Sequence, residues 1–233
     1  MASQKSLDKA LLEYVKAGDI DRVKGLLHAG ADIHVQGDIA LRCASRNGNF
    51  EMVQLLLGGG ADIHAETDYA LRYSAANGHL GVVRMLLDSG ADIHAETDYA
   101  LCWASLKGHS EVVRMLLDRG ADIHAKDDKA LCCSVERGHI EVVRILVGCG
   151  ADVLAAGSLA LRNSVANGCA DVAMLLIAYG ADLEVGIEEA KDAGNVTMLD
   201  ILNLIKLSRE EKNLLTAEVT WLGIERPTDR IRM

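Results

Sequence analysis

The sequence predicts an all-α solenoid of stacked helix–turn–helix units with shortened loops or hairpins. Three observations carry that prediction. Gly30, Gly60, Gly90, Gly120, Gly150 and Gly180 stand thirty residues apart, each followed by Ala-Asp. Within every period two short apolar patterns at helical spacing are separated by a second glycine, as at Gly78. Half of the 233 residues are apolar, yet only 3% are aromatic and one is proline, which suits close-packed aliphatic helices better than turn-rich sheets.

The repeat is almost literal. Residues 61–90 read ADIHAETDYALRYSAANGHLGVVRMLLDSG and residues 91–120 read ADIHAETDYALCWASLKGHSEVVRMLLDRG. Asp38, Asp68, Asp98, Asp128 and Ser158 precede the first helix of each unit and are expected as its N-caps. The small residues Ala70, Ser74 and Ala75 let a neighbouring helix approach closely. Gly78 then ends that helix, as Gly48, Gly108, Gly138 and Gly168 do in the other units. The second helix carries its apolar positions at 80, 82, 83, 86 and 87 and stops at Gly90. Helices this short are marginal alone, so each pair gains stability by stacking on its copies.

Four segments follow. Residues 1–30 form a capping helix pair with a polar outer side, and 31–180 hold five full repeats. Residues 181–207 form a degraded capping repeat, with Met198-Leu199-Asp200-Ile201-Leu202 in the second-helix place. In 208–233, Ser208-Arg209-Glu210-Glu211 reads as a capping box opening a further helix, followed by a tail. Leu214, Leu215, Trp221 and Leu222 either cover the last repeat or belong to a docking tail.

This unit resembles the ankyrin repeat. GADIHA stands for the family's GADVNA and NGHLGVVRMLL for its NGHLEVVKLLL, over about residues 10–205. The chain departs from the family in period, thirty residues against about 33, and YALR at 69–72 stands where T-P-L-H is usual. Three hairpin residues are missing, so the projecting β-finger is expected to shrink to a tight loop. Thirty-residue units with DYALR look like the arrays of giant viruses of amoebae.

The resemblance implies a non-catalytic scaffold or adaptor that binds a protein through a concave groove of loops and first helices. Carried over position by position, the groove includes Glu66, Tyr69, Tyr73 and Asn77, then Glu96, Tyr99, Trp103, Leu106 and Lys107. Along it one position reads Cys43, Tyr73, Trp103, Cys133 and Asn163. Tyr73 and Trp103 vary between repeats and are of the residue types enriched in hot spots, so they read as contacts. Tyr69 and Tyr99 recur in one slot and read first as braces of the loop, with contact as the alternative. Five repeats at roughly 10 Å each span about 50 Å, enough for an interface of about 1,200–2,000 Å².

Composition excludes other classes. The net charge is −10, and residues 206–233 hold six basic and five acidic side chains, so the repeats carry the negative charge. A basic or mixed-charge protein partner is favoured, and neither nucleic acid nor membrane is expected. The start has no apolar signal core and there is no 18-residue apolar run. The cysteines form no zinc-type pairs and read as reduced, implying cytoplasm or nucleus, or host cytoplasm for a viral protein.

Neither cofactor nor metal is expected. His34, His64, His94 and His124 recur once per repeat, too far apart to converge on one ion. The Gly-His histidines instead suit bonds to neighbouring backbone at the turn. No nucleophile elbow, HExxH or phosphate loop is present, so the chain is not expected to be an enzyme. A monomer is expected. A passive structural array, or an adaptor recruiting a host factor through its C-terminal tail, are the alternatives.

Overall fold

A computed structural model of the chain describes residues 3–153 and 157–221, and the side chains of 3–153 and 159–212. The described residues form helices joined by turns and contain no strand. The chain divides into two compact units, Met1–Ala160 and Leu161–Met233.

In the first unit, α1 (Gln4–Ala17) and α2 (Ile20–His28) form one pair. They are followed by α3 (Val35–Arg46) and α4 (Phe50–Gly58), then α5 (Ala65–Ala76) and α6 (Leu80–Asp88). The next pairs are α7 (Ala95–Lys107) with α8 (Ser110–Asp118), and α9 (Ala125–Glu136) with α10 (Ile140–Gly148). First helices pack on first helices along α1, α3, α5, α7 and α9, and second helices stack likewise from α2 to α10.

The core follows the period. Leu11, Leu41, Leu71, Leu101 and Leu131 line the first helices, and Leu56, Leu86, Leu116 and Leu146 the second, all fully buried. Ala70, Ser74 and Ala75 are also buried, as close first-helix packing requires. Ser74 and Ser134 donate their hydroxyls to Leu71 and Leu131 carbonyls, while the buried Oγ atoms of Ser45 and Ser105 have no partner.

The connection between repeats is the expected tight loop, and its backbone is left-handed. In place of a hairpin stands one turn of left-handed backbone. Glu66, Thr67 and Asp68 have φ of 52°, 56° and 54°, and Gln36–Asp38, Glu96–Asp98 and Lys126–Asp128 repeat it. Left-handed residues other than glycine cost about 1–2 kcal/mol each, so other bonds must hold the turn. The aspartates supply them, and the N-cap reading of Asp38, Asp68, Asp98 and Asp128 is corrected accordingly.

Each of these carboxylates is buried. Oδ1 of Asp38, Asp68 and Asp98 accepts the backbone N–H of Asp62, Asp92 and Asp122 at 2.8 Å. Asp128 accepts that of Asp152 at 3.0 Å. In the same repeat, Nδ1 of His34, His64, His94 or His124 donates to the aspartate at 3.1–3.2 Å. The aspartate thus joins its own turn to the loop of the next repeat. Ser158, expected in the same role, lies outside the described side chains.

True side-chain caps occur on second helices. Asp19 accepts the N–H of Arg22, and Asn49 that of Met52, each at 3.1 Å. The equivalent histidines do something else: Nε2 of His79, His109 and His139 donates to the carbonyls of Arg46, Ala76 and Leu106 in the preceding repeat. The ring of His109 lies so close to Gly78 that a Cβ there would stand 2.6 Å from Nδ1. Gly78 is needed both for its φ of 77° and for this approach.

The second unit contains most of α11 (Gly157–Ala166), then α12 (Ala170–Ala178), α13 (Leu183–Asp192) and α14 (Val196–Trp221). Leu161, Leu176, Ile187 and Leu202 are buried there. Asn195 caps α14 by accepting the N–H of Met198 at 3.1 Å. The capping-box reading of Ser208 is corrected: α14 runs through it unbroken, and Arg209 donates to the carbonyl of Ile177 at 3.1 Å. The expected roles of Leu214, Leu215, Trp221 and Leu222 fall outside the described side chains.

Candidate functional site

The left-handed turns and first helices of the first unit share one face, and the aromatic side chains gather there. On α5, Tyr69 and Tyr73 stand one helical turn apart and stack, with ring centroids 3.9 Å apart and planes 14° from parallel. Tyr69 is half-buried, and burial together with Tyr73 raises its phenol pKa. On α7, Tyr99 meets Trp103 edge to face at 5.7 Å. Spacing of four residues on a helix brings each pair together.

Cations flank the rings. Arg42 lies 5.3 Å from the Tyr69 centroid and Arg72 5.8 Å from that of Tyr99. Lys126 approaches Tyr99 from the following repeat at 5.0 Å, and Lys107 lies 5.9 Å from Trp103. Both arginines also brace the turns: Arg42 donates to the Gln36 carbonyl, and Arg72 to those of Glu66 and Thr67, at 2.7–2.8 Å. Each guanidinium therefore ties its own turn while facing an aromatic ring of the next repeat.

That arrangement changes after α7. The position held by Arg42 and Arg72 becomes Cys102, and the position held by Tyr69 and Tyr99 becomes Lys129. A depression of about 260 Å³ lies at this change. Tyr99, Cys102, Trp103 and Leu106 of α7 line one side, and Lys126, Lys129 and Cys133 of α9 the other. Burial pushes the Cys102 thiol up to about 11, with Cys133 adding to the shift, and it also raises Cys133. Both are neutral thiols that act as small apolar surface.

The residues expected from sequence thus part company. Tyr99, Trp103, Leu106 and Cys133 meet at the depression, Cys133 as its buried floor, with Lys107 beside the indole. Tyr69 and Tyr73 form a separate stack on the preceding repeat. Glu66 and Glu96 are exposed in their turns. Asn77 is also exposed, but its amide donates to the Arg46 carbonyl at 2.9 Å, which joins one repeat to the last.

Asp128 is buried and engaged by Asp152 and His124, so it presents no charge to a partner. Sequence reasoning missed Arg42, Arg72, Cys102, Lys126 and Lys129. Their signal was the series Arg, Arg, Cys, Cys at 42, 72, 102 and 132, which breaks where the depression opens.

A larger and more open cleft, about 510 Å³, lies between the second helices α4 and α6. Phe50, 42% exposed, sits over Gly81, with Leu80, Arg84 and Met85 beside them. The aromatic pairs lie on the first helices, away from this cleft, although the second helices also vary, with Phe50, Leu80, Ser110, Ile140 and Ala170 at one position. No helix among the described residues is long and apolar enough to cross a membrane.

Short helix pairs, closed by positive-φ glycines and bonded loop to loop at constant period, define a helical-repeat protein. The family profile described as ankyrin repeats (3 copies) matches residues 11–97, 68–127 and 101–187, well over half of the chain. The chain belongs to the ankyrin-repeat family, whose repeats mediate protein–protein interaction. No match was found among the curated proteins.

Proposed function

We propose that this chain is a non-catalytic scaffold or adaptor that engages a protein through the groove of its turns and first helices. One observation carries the reading: Tyr69, Tyr73, Tyr99 and Trp103 gather on that face in two adjacent repeats, with the depression beside them. Hot spots favour such aromatic anchors next to a pocket. Glu66, Asn77, Glu96 and Lys107 then form the polar rim, and Leu106 and Cys133 the apolar floor.

The negative charge of the repeats supports a partner that carries basic or mixed charge and is steered by the long-range field. The free thiols support residence in cytoplasm or nucleus, with the chain acting as a monomer. The thirty-residue DYALR unit supports the finer proposal of an adaptor of the giant-amoebal-virus type, capturing a host factor in host cytoplasm. In that version the C-terminal tail is a second docking element.

The test compares proteins retained from a cell lysate by the parent chain, by Tyr73→Ala/Trp103→Ala and by Phe50→Ala. The expected result is a protein held by the parent and by Phe50→Ala but lost from the double variant. Retention by the double variant with loss from Phe50→Ala would move the interface to the second helices. Equal retention by all three would point to the tail, and no specific retention to a passive array.

A further inference from the structure

We infer that the depression between α7 and α9 is a side-chain pocket for an acidic peptide segment, which inserts one large apolar residue beside Trp103 and sets carboxylates against Lys126 and Lys129. The inference rests on the protein-binding reading above and names the chemistry of the partner at the contact.

The pocket's walls decide what enters. Its interior is the indole of Trp103, the Leu106 side chain and two neutral thiols, so an apolar group is favoured. Its volume of about 260 Å³ falls below the 300–1,000 Å³ of small-molecule sites. One side chain on an extended or helical segment suits that space better than a free metabolite.

Its rim decides the charge. The two charged residues that line the pocket are Lys126 and Lys129, and Lys107 stands over the neighbouring indole. Ion pairs among the described residues engage none of these three. Glu96, Asp127 and Glu136 are exposed on the same repeats but do not line the pocket, and Asp98 is buried and bonded to Asp122 and His94. The contact therefore has the opposite sign to the chain as a whole.

Lysines beside aromatic rings also suit a single-stranded nucleic acid. The net charge of −10 opposes a polyanion approaching along the array, whereas a short acidic segment meets only the local lysines. In the two preceding repeats, arginine fills the corresponding space and faces the next tyrosine, so Cys102 and Lys129 open the pocket at one place in the array.

The test is selection from a random twelve-residue peptide library by the immobilised full chain. Parallel selections use Lys126→Glu/Lys129→Glu, Cys102→Arg and Tyr73→Ala/Trp103→Ala, with folding checked by circular dichroism. The expected peptides carry several carboxylates around one large apolar residue. Their binding, followed by fluorescence anisotropy, should fall at least tenfold in the lysine variant and weaken with salt. Cys102→Arg restores the arginine of the earlier repeats and should close the pocket to them. If it unfolds, the exposed lysine variant alone decides.

Enrichment of neutral or basic peptides, lost from the Tyr73→Ala/Trp103→Ala variant, would overturn the acidic-segment inference and leave the groove reading standing. Peptides held equally by all variants would overturn both. An empty selection overturns the pocket. So does preferential binding of a fluorescent oligothymidine that the lysine variant abolishes.

Discussion

Thr97→Gly should stabilise the protein, against the ordinary expectation for a glycine placed inside an ordered segment. Thr97 is an exposed, β-branched residue at φ 59° in the centre of a left-handed turn. A β-branched side chain is especially ill suited to that backbone, and the strain is about 1–2 kcal/mol. Glycine removes it but restores freedom to the unfolded chain, at a cost of about 0.5–1 kcal/mol. The net gain is about 0.5–1 kcal/mol, equivalent to about 1–4 °C in melting temperature for a domain of this size.

The molecule supplies its own reciprocal control. Gly37 occupies the same place at φ 62°, and a Cβ there would make only an ordinary 3.5 Å contact with Glu66 Oε1. Gly37→Thr should therefore lose about what Thr97→Gly gains. Urea denaturation followed by circular dichroism, at unchanged slope, measures both. If Thr97→Gly lowers the midpoint, or Gly37→Thr leaves it unmoved, the left-handed turn is not the native conformation of these residues.

Four further outcomes follow from the same architecture. Leu86→Ala removes a fully buried side chain and should cost about 2–5 kcal/mol by chemical denaturation; a negligible loss would mean that the second helices are packed differently. Gly78→Ala should cost more than the roughly 1–2 kcal/mol of its positive φ, because its Cβ meets the His109 ring. In a His109→Ala background the excess should vanish, and strict additivity in this double-mutant cycle would refute the contact. Ser105→Ala deletes a buried hydroxyl without a partner, at a position where the preceding repeat already has Ala75, so stability should rise by about 1 kcal/mol, read as a higher urea midpoint. Burial lowers the His109 pKa below its ordinary 6.5. The unfolded chain therefore takes up the proton first, and this contribution to stability is complete above about 6.5 and declines as pH falls through it. Urea midpoints between pH 8 and pH 5 should fall less steeply in His109→Gln than in the parent.

The glycine period and the aliphatic pattern made the helix pairs legible in the sequence, since both report local requirements of turn and core. The turns were not legible. Glu96 and Thr97 have no preference for left-handed backbone; the turn is closed by the Thr97 N–H donating to the His94 carbonyl, and the His94 ring and the Asp122 N–H both donate to the Asp98 carboxylate. Asp98 looked like a helix cap because a cap and an inter-repeat bond ask for the same residue type. Ser208 shows the same limit, since a capping box in sequence does not interrupt α14 when the helix continues to pack. On the candidate face, Tyr73 and Trp103 stood out by changing between repeats. The pocket arises from what replaced Arg72 in the next repeat, and such a vacancy is visible only when the guanidinium has been seen to fill its space.

The inter-repeat bonds also make the array editable in whole blocks. Asp38 reaches a backbone N–H twenty-four positions ahead, and Asp68 reaches its own at the same interval. Excising residues 61–90 would put Asp92 where Asp62 had been, His109 against Gly48 instead of His79, and Tyr99 above Arg42 instead of Tyr69. These three joints would close on like groups, although Lys107 would replace Asn77 against Arg46 and Arg119 would lose Asp88 to Gly58. A gain or loss of thirty residues is thus nearly silent to the fold, whereas a shift of one or two would leave a buried carboxylate without its donor. Such a lineage can lengthen, shorten or reshuffle its recognition surface by recombination between near-identical blocks, without first solving a new folding problem.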